Sequence, residues 1–152
     1  MVGAHHPAVA ADLVVLAAVL LGAGHLDQPE RAYRRALRIY TRVFGSGHYE
    51  IAVVLNGVAG IEVERGHPWT AEPLYQRALA IKQRVLGPEH PEIGVLLNNL
   101  AVVHRPVGQL AAAACYHRAL PLLRRSLGDQ HPTVRVCTDN LAGLTEQAER
   151  PP

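Results

Sequence analysis

Residues 71–101 read AEPLYQRALAIKQRVLGPEHPEIGVLLNNLA, and this stretch contains the start and stop signals of two helices. In its first half the apolar residues recur at spacings of three and four, as on the buried face of a helix. Gly87 then ends the helix, because glycine readily adopts a positive φ, and Pro88 cannot continue it. Pro91 suits the first turn of a new helix. The stretch therefore predicts two helices joined by a short turn.

The same order of residues recurs along the chain with one period. The Tyr-x-Arg-Ala-Leu string begins at Tyr33, Tyr75 and Tyr116, in steps of 42 and 41 residues. The histidine before an apolar helix recurs at His6, His48, His90 and His131, and the turn glycine at Gly45, Gly87 and Gly128. A fixed period of this length is the signature of a repeat architecture.

The composition favours an all-α chain, because Ala, Leu, Arg, Glu and Gln dominate and β-branched runs of period two are absent, and the repeat divides it into seven helices. We expect them at about 7–22, 28–44, 49–65, 70–86, 91–105, 109–127 and 132–148. They form a single repeat domain over 1–152, with repeats at about 7–47, 48–89 and 90–130 and a closing helix at 131–150. A helical hairpin of this size cannot bury its apolar face alone, so the hairpins must stack.

Two strings carry a resemblance to a known family: residues 71–101 and CYHRALPLLRRSLGDQHPTVRVCTDNLAGL at 115–144. Both resemble the tetratricopeptide repeat, in the longer form found in kinesin light chains. The resemblance implies a right-handed superhelical solenoid of antiparallel helix pairs, in which the first helix of each pair lines a concave groove. It also implies a non-catalytic scaffold that binds a peptide or protein segment in that groove, without a cofactor.

The resemblance also assigns candidate binding residues. A small residue lies midway along each first helix, here Ala17, Ala59, Ala101 and Ala142. Two residues earlier, an asparagine holds the backbone of a bound peptide, which gives Asn99 and Asn140. The preceding slot holds Asn56, Asn98 and Asp139, and these residues are expected to tune specificity together with Arg105 and Glu146.

From the residues alone, two interpretations of the asparagines stay open. Asparagine is a poor helix-interior residue, and a buried amide costs free energy unless it is hydrogen-bonded. Asn98 and Asn99 could therefore hold a ligand, or only tie neighbouring helices together. In earlier repeats the same slot holds Val15 and Gly57. Gly57 and Gly60 each cost up to about 1 kcal/mol in a helix, and we expect them to leave a bare patch.

Metal-binding and catalytic interpretations are weaker. The loop histidines occupy equivalent positions of adjacent repeats, about 10 Å apart, which is too far to share a metal at bonds of about 2 Å. We expect each of them to hydrogen-bond around its own turn, with no metal site. No nucleophile, HExxH or phosphate-loop pattern occurs, so we expect no enzyme.

Charge and hydropathy limit the partners. Arginines line the second helices, but the net charge is only +2 and acids lie nearby, so we expect a solvated face and no nucleic acid. The longest clean apolar run, Leu13–Leu21, is too short for a bilayer, and no Lys or Arg precedes it as in a signal peptide. We therefore expect no membrane association and a cytoplasmic location. Cys115 and Cys137 are expected to be small buried side chains.

The first helix leaves an alternative open, because it is apolar nearly all round, whereas a terminal repeat needs a polar outer face. The chain would then be a structural fragment of a larger repeat array attached to a signalling or ATPase module, or would self-associate through this helix.

Overall fold

The computed structural model describes residues 3, 5–106 and 108–148, with side chains up to residue 146. Within these residues the chain forms seven helices and no strand. They are α1 (Pro7–Gly22), α2 (Asp27–Phe44), α3 (Tyr49–Glu64), α4 (Pro68–Leu86), α5 (Pro91–His104), α6 (Gln109–Leu127) and α7 (Pro132–Ala148). The all-α prediction is confirmed, and the predicted bounds differ by at most two residues. Residues 149–150 of the predicted closing helix lie outside the described residues.

The first helix of each pair begins at a histidine. The Nδ1 atom of the histidine accepts a hydrogen bond from the backbone N–H two residues later, at distances of 3.1, 3.4, 3.3 and 3.2 Å for His6, His48, His90 and His131. Each bond satisfies one of the backbone donors that a helix start leaves without an intrahelical partner. The expectation that the loop histidines hydrogen-bond around their turns is confirmed.

The second helices end at glycine. Gly45 follows α2 with a φ of 77°, and Gly87 follows α4 with a φ of 88°. A side chain at either position would be strained, because positive φ is unfavourable for residues with a Cβ atom. The turn glycines therefore set the ends of the hairpins, as the sequence predicts.

The chain divides into two compact units, Met1–Ile81 and Lys82–Pro152. In the first unit α1 packs against α2, and α2 packs against α3. Its core contains fully buried Ala17, Ala36, Ile51, Leu55 and Ile61. The predicted single repeat domain stays a prediction.

In the second unit α5 packs against α6, and α6 packs against α7. Its core contains Ile93, Leu97, Tyr116, Leu123 and Val134, each almost fully buried.

The small residues midway along the first helices do not all have the same environment. Ala17, Ala59 and Ala101 have no exposed surface. Ala142, at the equivalent position of α7, is exposed. The close packing that the repeat implies at this position is therefore present in α1, α3 and α5 but not in α7.

An ion-pair network joins α2 to the end of α3 in the first unit. Arg65 contacts Glu30 at 2.7 Å and Asp27 at 2.8 Å, and Glu30 also contacts Arg34 at 2.7 Å. Glu62, only 7% exposed, lies 3.4 Å from Arg65. A buried carboxylate is costly unless it is paired, so Arg65 stabilises this packing of α2 against α3.

Candidate functional site

Three helices of the second unit bring polar groups together. Arg105, the C-cap of α5, donates from Nη1 to Oδ1 of Asn140 in the middle of α7, at 3.2 Å. Tyr116 of α6 is fully buried beside them. We call Arg105, Tyr116 and Asn140 the polar cluster.

The Tyr116 hydroxyl is the least satisfied group of the polar cluster. It has no hydrogen-bond partner among the described residues, although the Asn140 amide lies close to it. Burial raises the pKa of Tyr116, while the charge of Arg105 and the amide of Asn140 act in the opposite direction. The hydroxyl therefore stays protonated and can act as a donor.

Asn98 and Asn99 lie side by side on α5, both half-buried. The Oδ1 atom of Asn98 is buried and has no hydrogen-bond partner among the described residues. Asn99 does take part in an interaction within the structure. A buried amide oxygen without a donor costs free energy, so the Asn98 oxygen does not make the bond that a purely structural role requires.

The remaining predicted residues lie apart from the polar cluster. Asp139 lines a surface cavity of about 360 Å³ together with Arg124 and Arg135. Glu146 is exposed near the end of α7. Asn56 is half-buried on α3, in the first unit. Asn140 thus contacts Arg105, whereas the adjacent Asp139 lines a different cavity. The two side chains point in different directions because successive helical residues are rotated by about 100°.

The expectation of a bare patch at Gly57 is wrong. A Cβ atom built on Gly57 would lie 2.4 Å from Cζ of Tyr33, so the tyrosine ring already fills this space. Gly57 on α3 and Asn140 on α7 are equivalent positions, and each lies near the tyrosine of the preceding second helix, Tyr33 or Tyr116. Glycine at position 57 is therefore explained by close packing.

The sequence prediction missed two features of the second unit. The first is Tyr116, which served only to mark the repeat period and was not assigned to the site. The recurrence of this tyrosine in every Tyr-x-Arg-Ala-Leu string was the signal that could have revealed its role. The second is an apolar groove between α6 and α7 of about 570 Å³, lined by Gln109, Leu110, Ala113, Ala114, His117, Leu144 and Thr145. Leu110 is 86% exposed at its edge.

Among the described residues, no three His, Cys, Asp or Glu side chains are placed to hold a metal ion. Burial raises the pKa of the Cys137 thiol to about 11, and Cys115 is only half-buried rather than buried. Within the same part of the chain, none of the helices has the length and apolar character needed to cross a membrane.

The family model for the tetratricopeptide repeat matches residues 13–84 and again residues 51–116. Among solved structures, the chain is similar to BtubC (BKLC) from P. vanneervenii, with a TM-score of 0.83 and 23% identity over 94% of this chain and 58% of that one. It is also similar to a kinesin light chain-like protein of Podosopora anserina with nearly identical TPR-like repeats, with a TM-score of 0.79 and 19% identity over 94% and 68% of the two chains.

These similarities establish a shared fold. The chain spans less than two thirds of BtubC, 58% of its length. No curated protein sequence matches the chain. The predicted resemblance of residues 71–101 and 115–144 is confirmed by the family match and by the fold.

Proposed function

The chain belongs to the tetratricopeptide repeat family, and we propose that it is a non-catalytic scaffold that holds an extended peptide or protein segment on α5 and α7. Repeats of this fold serve as protein interaction scaffolds in general. The residues proposed to hold the ligand backbone are Asn99 and Asn140, with Asn98 and Arg105 beside them.

The hydrogen bond between Arg105 and Asn140 carries this proposal. A guanidinium can only donate, so the atom of Asn140 that faces Arg105 at 3.2 Å is its oxygen, and the amide NH₂, which lies near the Tyr116 hydroxyl, is left to donate. An extended peptide needs donors and acceptors for its own N–H and C=O groups. An oriented NH₂ group on Asn140 meets a peptide carbonyl, and the half-buried Asn99 of α5 supplies the second amide.

The surroundings of Asn140 support a ligand of mixed character. Leu144 follows Asn140 by one helical turn and lines the apolar groove of about 570 Å³. Arg105 supplies the positive charge of the polar cluster. We therefore propose a ligand with a polar or acidic end near Arg105 and an apolar side chain in the groove. Asn56, Asp139 and Glu146 then contribute to specificity from positions outside the polar cluster.

A titration with a selected peptide tests the proposal. Peptides that bind the whole chain are selected from a displayed random library. The peptide with the highest affinity is then labelled, and its binding is measured by fluorescence anisotropy. The variant Asn99→Ala/Asn140→Ala should lose at least about tenfold in affinity without a change in circular dichroism. The control Gln28→Ala/Gln76→Ala removes two exposed amides on α2 and α4 and should bind normally. Equal affinity of the Asn99→Ala/Asn140→Ala variant and the wild type would contradict the proposal.

A second candidate function is self-association through α1. Val15, Leu16 and Val19 are 64%, 50% and 65% exposed, and they form an uncovered apolar face. Exposed apolar patches are a mark of interaction surfaces. Light scattering measures the molar mass of the wild type, of Val15→Gln/Val19→Gln and of the control Val95→Gln/Val136→Gln. Self-association through α1 predicts a lower molar mass for Val15→Gln/Val19→Gln only. A chain that is monomeric before any substitution rules it out.

A further inference from the structure

Helix α2 carries a row of arginines on its solvent face. Arg31, Arg35, Arg38 and Arg42 follow one another at spacings of four, three and four residues, and all four are exposed. These spacings place side chains on one face of a helix, with neighbours about 5–6 Å apart. We call these four residues the arginine row. It extends for about 16 Å along the helix, at 1.5 Å per residue.

The arginine row lacks counter-charges. Among the described residues, none of its four side chains forms an ion pair or a hydrogen bond. The two acids of α2 are already engaged, because Glu30 contacts Arg34 and Arg65, and Asp27 contacts Arg65. Helix α2 thus has five arginines against two acids, an excess of three positive charges, whereas the whole chain carries +2.

The carboxylates on neighbouring helices act on the other face of α2. The charges of Glu50 and Asp12 contribute to raising the pKa of Tyr40, for which burial is the larger cause. Tyr40 is buried, and at about 100° per residue it lies nearly opposite Arg31 and Arg42 on α2. Glu50 and Asp12 therefore act on the face of α2 opposite to the arginine row.

The repeat does not require the whole row. The positions equivalent to Arg31 and Arg38 hold Pro73 and Ala80 in α4, and Ala114 and Pro121 in α6. Those equivalent to Arg35 and Arg42 are arginine in all three helices: Arg77 and Arg84, then Arg118 and Arg125. Three of these four arginines have protein partners: Arg77 contacts the Ser46 carbonyl at 3.5 Å, Arg125 contacts Glu89 at 3.6 Å, and Arg84 also takes part in an interaction. The continuous, unpartnered row is a property of α2 alone among these helices.

A small cavity opens within the row. It has a volume of about 270 Å³ and is lined by His5, Arg35, Arg38, Ile39 and Arg42. Its cationic walls and the buried Ile39 suit a carboxylate on a short aliphatic stem, such as a glutamate side chain. A planar guanidinium also pairs with a carboxylate through two parallel hydrogen bonds.

We propose that the arginine row is a docking surface for an acidic protein segment, with carboxylates at matching helical spacing on one face. A helix with acids three and four residues apart presents its charges at the same 5–6 Å separation. Single-stranded nucleic acid fits less well, because it needs aromatic platforms for its bases. Among the described residues, no Phe, Tyr or Trp side chain lines the cavity, and Phe44, two residues beyond the row, is already stacked on His48 at 4.3 Å. This surface is independent of the site proposed on α5 and α7.

The test uses a labelled helical peptide of alanines and glutamines with four glutamates at spacings of four, three and four. A reference peptide carries glutamine at those four positions. Binding to the whole chain is followed by fluorescence anisotropy at about 0.15 M salt, where the screening length is about 8 Å. An oligothymidylate and phosphatidylserine vesicles are titrated in parallel.

Two variants of the row and one matched control locate the binding. The row variants are Arg31→Gln/Arg38→Gln and Arg35→Gln/Arg42→Gln. Each should lower the affinity for the glutamate peptide by about five- to tenfold, as expected for the loss of two exposed charge pairs. The control Arg118→Gln/Arg125→Gln removes two arginines at equivalent positions of α6 and should change binding by less than about twofold. Each variant lowers the formal net charge from +2 to 0, so only the position differs.

Several results overturn the proposal. Equal weakening by the α6 control means that net charge alone attracts the peptide. Equal binding of the glutamine reference peptide removes the role of carboxylates. If the oligothymidylate or the vesicles bind more tightly than the glutamate peptide, the arginine row is assigned to nucleic acid or to a lipid surface instead. If the glutamate peptide shows no measurable binding at about 0.15 M salt, the row is a solvated face.

Discussion

The guanidinium of Arg105 at the end of α5 holds the side-chain oxygen of Asn140 on α7 at 3.2 Å. Replacing Arg105 by glutamine should weaken peptide binding about fivefold, because a bond worth about 1 kcal/mol no longer orients the Asn140 amide. Isothermal titration with the selected peptide measures the change. The control Arg118→Gln, an exposed arginine on α6, should bind as the wild type does. Equal losses in the two variants would contradict a specific role for Arg105.

Gly57 is expected to resist substitution although it lies inside a helix. Gly57→Ala should destabilise the chain by about 1–3 kcal/mol, because its Cβ would lie 2.4 Å from the ring of Tyr33. The control is Gly143→Ala on α7, where no atom lies within 4 Å of the added Cβ. It should stabilise by up to about 1 kcal/mol through helix propensity. Urea unfolding compares the two, and stabilisation by Gly57→Ala would refute the packing explanation.

The histidine caps should contribute measurably to stability. His90→Ala removes the acceptor of the Glu92 N–H, 3.3 Å away, and should cost about 0.5–2 kcal/mol. His90→Asn should recover most of this loss, because asparagine is a good N-cap residue. His117→Ala, on the exposed face of α6, provides the control in the same urea titration. No rescue by asparagine would show that His90 acts through packing instead.

Glu30 should make stability depend on pH. Hydrogen bonds from Arg65 and Arg34 lower the pKa of Glu30 in the folded chain below its ordinary value of 4.5. A carboxyl group with a lowered folded pKa stabilises the fold above its unfolded pKa, and this stability is lost as the pH falls through the folded pKa. The free-energy difference between wild type and Glu30→Gln should therefore be constant above about pH 4.5 and shrink below it.

Arg65→Met supplies the partner experiment for Glu30. Since the bond from Arg65 is the largest cause of the lowered pKa, this variant should flatten the acid limb of the stability curve in the same way. An unchanged acid limb in both variants would mean that other carboxyl groups dominate the acid dependence.

The helices could be predicted from the sequence because local residues determine where they start and stop. Gly87 ends α4, and His90 with Pro91 begins α5, all within a few residues of one another. The same locality made the histidine caps predictable, since Nδ1 bonds to a backbone group only two residues away.

Contacts distant in sequence could not be read in this way. Gly57 and Tyr33 are 24 residues apart, so the packing that fills the expected bare patch depends on how α3 meets α2. Asp139 and Asn140 are neighbours in sequence, yet one lines a separate cavity and the other contacts Arg105. The Arg65 network and the groove beside Leu144 likewise arise only when two helices pack.

The proposal that Asn99 and Asn140 hold the backbone of a bound peptide can be tested on these two side chains themselves. The most direct measurement is a ¹H–¹⁵N spectrum of their side-chain NH₂ groups during titration with the selected peptide, assigned with the single alanine variants. Both NH₂ pairs should shift with the binding curve, while the side-chain NH₂ signals of the exposed Gln28 and Gln76 should stay in place. Saturable binding that leaves the Asn99 and Asn140 signals unmoved would contradict the proposal.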